Sequence, residues 1–288
     1  MGALQHRMYE QHFGLNSLPF TLTPNTRFYL RAQSHDRAFA TVVHALKGRE
    51  GFIKVTGQVG TGKTLLCRRL LNALKPPFVT AYIPNPQLEP LDLYRAVAEE
   101  LGLKKDLIEG QHHLLRLIQG RLIDHAREGR SVVLVIDEAQ VMSESTIEAV
   151  RLLTNLETEA RKLLQVVLFG QPELDTMLRS PRLRQLLQRI TFQERIEPFS
   201  AREVPAYINH RLSMAGYNGQ DLFRKGAQRL IARGSGGVPR LINILAHKAL
   251  LSAYGEGSQR VEAHHARNAV RDTESAIPLR WSWSLKRA

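Results

Sequence analysis

Gly51-Phe-Ile-Lys-Val-Thr-Gly-Gln-Val-Gly-Thr-Gly-Lys-Thr64 is the stretch on which the reading of this chain turns. Gly51 to Thr56 is a short, mostly apolar run that reads as a buried strand, and Lys63 onward has the spacing of a helix. The turn between them, Gly57, Gln58, Val59, Gly60, Thr61, Gly62, Lys63 and Thr64, matches G-x-x-x-x-G-K-[ST] in full and in the right context. Glycines let the backbone curl until its N–H groups converge on phosphate oxygens, and the helix that follows offers its positive end to the same charge. The pattern predicts that these residues cradle a nucleoside triphosphate. Lys63 is expected at the β- and γ-phosphates and the Thr64 hydroxyl on Mg²⁺.

Working outward, Ser131-Val-Val-Leu-Val-Ile-Asp-Glu138 is the clearest strand in the chain. Its continuous apolar run fits a parallel strand covered on both faces. It ends in two carboxylates. Asp137 is placed to complete the Mg²⁺ site with Thr64, and Glu138 to polarise a water beside the γ-phosphate. Phe78–Ile83 and Leu164–Phe169 read as further buried strands, with helices over 34–47, 63–74, 90–101, 111–128 and 143–158. Alternating strands and helices imply an α/β fold with a parallel sheet flanked by helices. At the tip of the Leu164 strand, Gln171 is a candidate contact to the γ-phosphate or the attacking water. Arg182, Arg184 and Arg189 precede Ile190, and Arg189 is the one best placed to act on a neighbouring subunit's nucleotide.

Beyond Phe199 the strand pattern stops. Ser200-x-x-Glu203 is a capping-box signature, and helical patterns follow near 221–233, 238–253 and 261–272. In Gly236-Gly-Val-Pro-Arg240, Pro239 suits a first helical turn, which sets Arg240 at a helix start, leaning over the nucleotide. The expected division is an N-terminal segment and helix packing on the core over 1–50, a P-loop ATPase core over 51–199, a small all-helical lid over 200–275 and a tail over 276–288.

Composition narrows the class. Forty Lys and Arg stand against 27 Asp and Glu, and the excess is uneven: residues 151–288 carry 22 basic and 12 acidic groups. An anionic partner for that half is expected: nucleotide, DNA or a membrane surface. Cys67 is the one cysteine, so an intrachain disulfide is excluded, which fits a reducing compartment. The sequence shows neither a signal peptide pattern nor an apolar run of membrane-spanning length, so a cytoplasmic protein is expected.

Together, Gly57–Thr64, Asp137-Glu138, Gly170-Gln171-Pro172, the arginine near Ile190 and Gly237-Val-Pro-Arg240 resemble the Walker A, Walker B, first sensor, arginine finger and second sensor of AAA+ ATPases. A sharper resemblance rests on Tyr9-Glu-Gln-His-Phe-Gly-Leu15, Leu18-Pro-Phe20, Thr23-Pro-Asn25, Val55–Lys63, Asp137-Glu-Ala-Gln140 and Leu168-Phe-Gly-Gln-Pro-Glu-Leu174. On these the chain is similar to the general secretion pathway protein A family, on the side of the members linked to MSHA-type (type IV) pilus biogenesis. The resemblance implies an AAA+ core with a helical lid, ATP and Mg²⁺ as cofactors and Arg189 acting in trans within a homo-oligomer. It also implies a peripheral place at the inner membrane beside pilus or secretion proteins. The secretion member carries a transmembrane helix and a peptidoglycan-binding domain after its ATPase; neither follows here before Ala288, which favours the short pilus-associated form. Transposition ATPases that act on DNA share the core and stay open as an alternative, as does a nucleotide switch with negligible hydrolysis. By analogy the N-terminal segment wraps the adenine, with Phe20 and Tyr29 as candidates, and Trp281 and Trp283 are candidates for a membrane interface.

Overall fold

The computed structural model describes residues 9–103, 110–158 and 161–279. They form two compact units. One comprises the described residues of 33–59 and 63–197; the other comprises 9–32, 60–62 and 198–279.

The first unit is built on five parallel strands: β1 (Phe52–Gly57), β2 (Phe78–Ile83), β3 (Ser131–Ile136), β4 (Leu164–Gly170) and β5 (Ile190–Ile196). Their spatial order is β2-β3-β4-β1-β5. Helices α1 (Gln33–Lys47), α2 (Lys63–Ala73), α3 (Pro90–Glu100), α4 (Gln111–Arg127), α5 (Glu144–Thr154), α6 (Pro172–Leu178) and α7 (Arg184–Leu187) connect them. Side chains alternate across the sheet. Phe52, Leu134, Ile136, Val166 and Leu168 meet Leu93, Ile118 and Val150 on one face. Ile53, Val55, Val133, Val167 and Phe169 meet Val42, Leu66 and Leu70 on the other. Apolar cover on both faces is why β3 reads as an almost continuous apolar run and β1 and β4 as mostly apolar ones.

Two elements depart from the sequence reading. The helix expected over 143–158 ends at Thr154, and Glu157–Thr158 pairs antiparallel with Arg161–Lys162 as a short hairpin. β5 was not foreseen. Among the described residues it is an edge strand paired with β1, and from Ile190 to Arg195 its residues alternate between half-buried and exposed. Edge strands carry polar residues on their open side, so no apolar run announces them.

The second unit packs α8 (Glu203–Met214), α9 (Lys225–Ser235), α10 (Pro239–Gly255) and α11 (Ala263–Arg271) around Val204, Ile208, Leu245, Ala249 and Ala266. Ser200 and Glu203 make half of a capping box: the Glu203 carboxylate accepts from the Ser200 N–H and hydroxyl, both at 2.8 Å. The segment expected on the core over 1–50 is divided: the described chain up to Ala32 belongs to the helical unit, and α1 to the sheet unit. Tyr9, Phe13, Phe20 and Phe28 enter the helical core. Arg211, 6% exposed, fastens the stretch from Pro19 to Phe28: its Nε donates to the Pro19 carbonyl, its Nη1 to the Tyr207 hydroxyl at 2.9 Å, and its guanidinium lies over the Phe28 ring at 4.7 Å. A buried guanidinium needs such partners to offset its lost hydration. Phe20 is 3% exposed, edge-on to Phe223, and is therefore core rather than a nucleotide contact; Tyr29 is half-buried. Trp281 and Trp283 lie outside the described residues.

Candidate nucleotide site

β1 delivers the chain at Gly57 to the carboxyl end of the sheet, and α2 begins at Lys63. In between, Gly60 and Gly62 take φ of +80° and +98°, a region open to glycine at little steric cost. The Lys63 ammonium is 4% exposed and donates to the carbonyls of Gly57 at 2.8 Å and Gln58 at 3.0 Å. Burial lowers its pKa, against the pull of Glu138, Asp137 and Glu173.

β3 runs beside β2 and β4 and carries Asp137 to the same carboxyl end. The Thr64 hydroxyl is hydrogen-bonded to the Asp137 carboxylate, so the two oxygen ligands expected for Mg²⁺ are already together. Burial raises the Asp137 pKa, and the bonds from Thr64 and from the Glu138 N–H at 2.9 Å pull it back. A hard divalent cation takes oxygen ligands of this kind, and the set fits Mg²⁺.

Glu138 sits at φ +51°, left-handed for a residue with a side chain. That conformation costs on the order of 1 kcal/mol and recurs at functional positions. The turn that follows, Ala139–Val141, brings the Gln140 side chain back onto it. Gln140 Nε2 donates to Glu138 Oε2 at 2.5 Å, and its Oε1 accepts from the Gln171 N–H at 2.9 Å. Gln171 Nε2 reaches the same Glu138 oxygen at 3.3 Å. Two amides thus orient one carboxylate. Gln171 was expected at this strand tip; Gln140 had no role assigned to it, although it closes the Asp137-Glu-Ala-Gln run.

In the helical unit, Gly236 caps α9 in the left-handed region and Pro239 opens α10. The Arg240 N–H donates to the Gly60 carbonyl at 3.1 Å, and a Cβ on Gly60 would lie 2.7 Å from Arg240 Cβ. The arginine expected over the nucleotide thus packs on Gly60, in its own unit, through its backbone and Cβ.

Arg189 is elsewhere. It precedes β5, whose Ile190 pairs with Phe52, whereas Gly57 pairs with Ile196. Five residues of strand separate those levels, roughly 16 Å, so Arg189 is beyond reach of Lys63 in its own chain. Its Nη1 donates to Asn155 Oδ1 at 2.6 Å and Thr154 Oγ1 at 3.4 Å. Arg182 faces Glu144 at 3.9 Å. Glu256, His264 and His265 also cluster, but His265 Nδ1 accepts from the Glu262 N–H at 2.9 Å. Its Nε2 must then carry the proton that it gives to Glu256, which makes the cluster a helix cap rather than a metal site.

Comparison with known proteins fits this geometry. Residues 46–178 match the AAA domain family. The chain is 43% identical over 254 residues to General secretion pathway protein A of Aeromonas hydrophila, a match covering 88% of this chain and 46% of that protein. The chain thus spans about half the length of that curated relative. Among solved structures, Cdc6p from Pyrobaculum aerophilum superposes with a TM-score of 0.67 at 17% identity, covering 87% of this chain and 69% of the other. The Aeropyrum pernix ORC1 protein, solved in complex with DNA, gives 0.62 at 19%, covering 87% and 68%. Among the described residues no helix is long and apolar enough to cross a membrane. In fold, this chain is an α/β protein with a P-loop AAA+ core, its parallel sheet flanked by helices.

Proposed function

We propose that the chain binds ATP with Mg²⁺, hydrolyses it, and uses the cycle to support assembly of a type IV (MSHA-like) pilus or a type II secretion system at the inner membrane, in the manner of MshM. The observation that carries hydrolysis is Glu138, held at φ +51° with its carboxylate fixed by Gln140 and Gln171. A plain binding loop has no use for that strain. Thr64 and Asp137 would hold the metal ion, which would neutralise phosphate charge when bound. Glu138 takes the proton of the attacking water, Gln171 reads the γ-phosphate, and Arg240 senses the nucleotide. Arg189 serves a neighbouring copy in a homo-oligomer. The assembly role rests on the 43% identity to General secretion pathway protein A, with cytoplasmic residence at the membrane as its setting.

The test is Glu138→Gln beside Lys63→Ala. Glu138→Gln should keep ATP affinity within about threefold and lose turnover at least a hundredfold, as expected for a lost general base; Lys63→Ala should lose both. Turnover surviving in Glu138→Gln would mean that another group handles the water. In cells without a native copy, Glu138→Gln should also fail to restore surface pili or secretion, and full restoration would remove the assembly reading.

One observation favours a DNA-remodelling or transposition role instead: the 22 basic against 12 acidic groups of residues 151–288. DNA binding by Glu138→Gln with ATP, titrated with salt, separates the two. Sub-micromolar, ATP-dependent affinity at physiological salt favours DNA. Binding no tighter than roughly 10⁻⁶–10⁻⁴ M that dissolves with salt is what any basic protein gives.

A further inference from the structure

In the helical unit, α9 and α11 start side by side. Phe223 and Val261 form a parallel β-bridge just before them. The Arg224 N–H donates to the Val261 carbonyl at 3.0 Å, and the Val261 N–H to the Leu222 carbonyl at 2.8 Å. From there the helices run parallel. A Cβ on Gly226 would lie 3.2 Å from Ala263 Cβ, and one on Gly234 would lie 2.6 Å from Val270 Cγ2. Small residues at both levels of the contact let the two axes come close.

The exposed stripes of the two helices point to the same side. On α9, Lys225, Arg229 and Arg233 recur every four residues, beside the line from Gly226 to Gly234 that meets α11. On α11, Arg267 and Arg271 do the same beside the line from Ala263 to Val270 that meets α9. Both stripes lie opposite buried Ala227, Ile231, Ala266 and Ala269, so five cations share one flat face. Neither helix contains an acidic residue. The carboxylates around the face have partners of their own. Glu262 meets Arg224 at 3.7 Å, Asp272 meets Lys248 at 2.6 Å, and Glu256 meets His264 and His265 at 2.9 Å. Glu274 lies past the end of α11.

A flat cationic face complements a flat anionic surface, where each Lys or Arg adds its own increment of attraction. Duplex DNA is a poorer fit, because its major groove, about 12 Å wide, admits one helix and not two abreast. Single strands stack on aromatic platforms, and neither helix carries Phe, Tyr or Trp. At the carboxyl end of α9, Ile277 is 53% exposed and lies over Gly236, which puts an apolar side chain at the edge of the face. We infer that the α9–α11 face is a membrane-docking surface that rests on the anionic headgroups of a phospholipid bilayer. It deepens the reading of work at the inner membrane and rests on that reading for its setting.

The test is cosedimentation of the full chain at physiological salt with phosphatidylcholine vesicles, with and without phosphatidylglycerol. Binding should require the anionic lipid. Arg229→Gln with Arg267→Gln should weaken it by roughly fivefold for each charge removed, about twenty-five-fold together. Melting temperature and turnover without vesicles should stay those of the parent. Lys225→Gln with Arg271→Gln, on the same face, should give the same loss. Arg95→Gln with Arg127→Gln removes as much charge from exposed positions of α3 and α4 and should leave vesicle binding near the parent's. Equal losses on and off the face would mean that binding follows net charge alone, and that overturns the face. So does a parent that ignores the anionic lipid. Duplex DNA is added as competitor; tighter binding to DNA than to vesicles, lost with the same two arginines, gives the face to nucleic acid instead. The face and the assembly reading fail separately. Vesicle binding lost with Arg229 and Arg267, beside full restoration of pili or secretion by Glu138→Gln, keeps the face and removes the assembly reading. Vesicle binding unchanged in both face variants, beside failed restoration by Glu138→Gln, removes the face alone.

Discussion

Asp137 is 2% exposed, yet the metal role proposed for it requires an ionised carboxylate. Burial raises its pKa above the ordinary 3.8, and the Thr64 and Glu138 hydrogen bonds recover only part of that. A carboxyl whose folded pKa lies above its unfolded value binds its proton more tightly in the folded state. Ionised Asp137 therefore costs stability at neutral pH, and the cost disappears below about pH 3.8, where both states are protonated. Asp137→Asn, which keeps an acceptor for Thr64, should raise the melting temperature of the nucleotide-free protein by a few degrees at pH 7. The gain should shrink as pH falls toward 3.8. The same variant should lose Mg²⁺-dependent ATP binding. A lower melting temperature at pH 7 would mean that the carboxylate is structural. At this scale the sequence was informative wherever a motif sets chemistry by spacing: Gly57–Thr64, Asp137 and Glu138. Gln140 was not legible, because its part depends on the tight turn at Ala139–Val141 that folds its amide back onto Glu138.

The corner between α9 and α10 shows how an element is aimed. Gly237 has φ +78°, its carbonyl accepts from the Phe199 N–H at 2.9 Å, and a Cβ there would lie 1.9 Å from the Phe199 carbonyl oxygen. Backbone cannot yield as a side chain can. Gly237→Ala should therefore cost roughly 3 kcal/mol or more, combining left-handed strain with the clash. Gly236→Ala, at φ +56° with only the flexible Ile277 Cδ1 near at 2.9 Å, should cost about 1 kcal/mol. Chemical denaturation of both variants checks this, and equal losses would mean that the Phe199 strut bears no load. Strands β1 to β4 and the start of α10 at Pro239 were legible because mostly apolar runs and proline placement act locally. β5 was not, since Thr191, Gln193 and Arg195 on its exposed positions look like a loop. Nor was the boundary at Ala32, because the partners that hold Phe20 and Phe28 lie nearly two hundred residues away, in α8 and beyond.

For the whole molecule, the placement of Arg189 sets a requirement. Lys63, Thr64, Asp137 and Glu138 stand at the carboxyl end of the sheet, and Arg189 stands before the amino end of β5, roughly 16 Å away along the strands. An arginine side chain does not bridge that distance, so Arg189 cannot stabilise charge on a nucleotide in its own chain. If it contributes to turnover, it does so for another copy. Turnover per chain should then rise with protein concentration. Arg189→Ala should lower turnover by on the order of a thousandfold while ATP binding persists. Mixing settles the geometry: Arg189→Ala keeps Glu138, and Glu138→Gln keeps Arg189, so each supplies what the other lacks. Activity recovered in the mixture, following the statistics of mixed neighbours, places the arginine in trans. A mixture no more active than its parts, or an Arg189→Ala protein with normal turnover, returns Arg189 to its bonds with Thr154 and Asn155 as a structural residue.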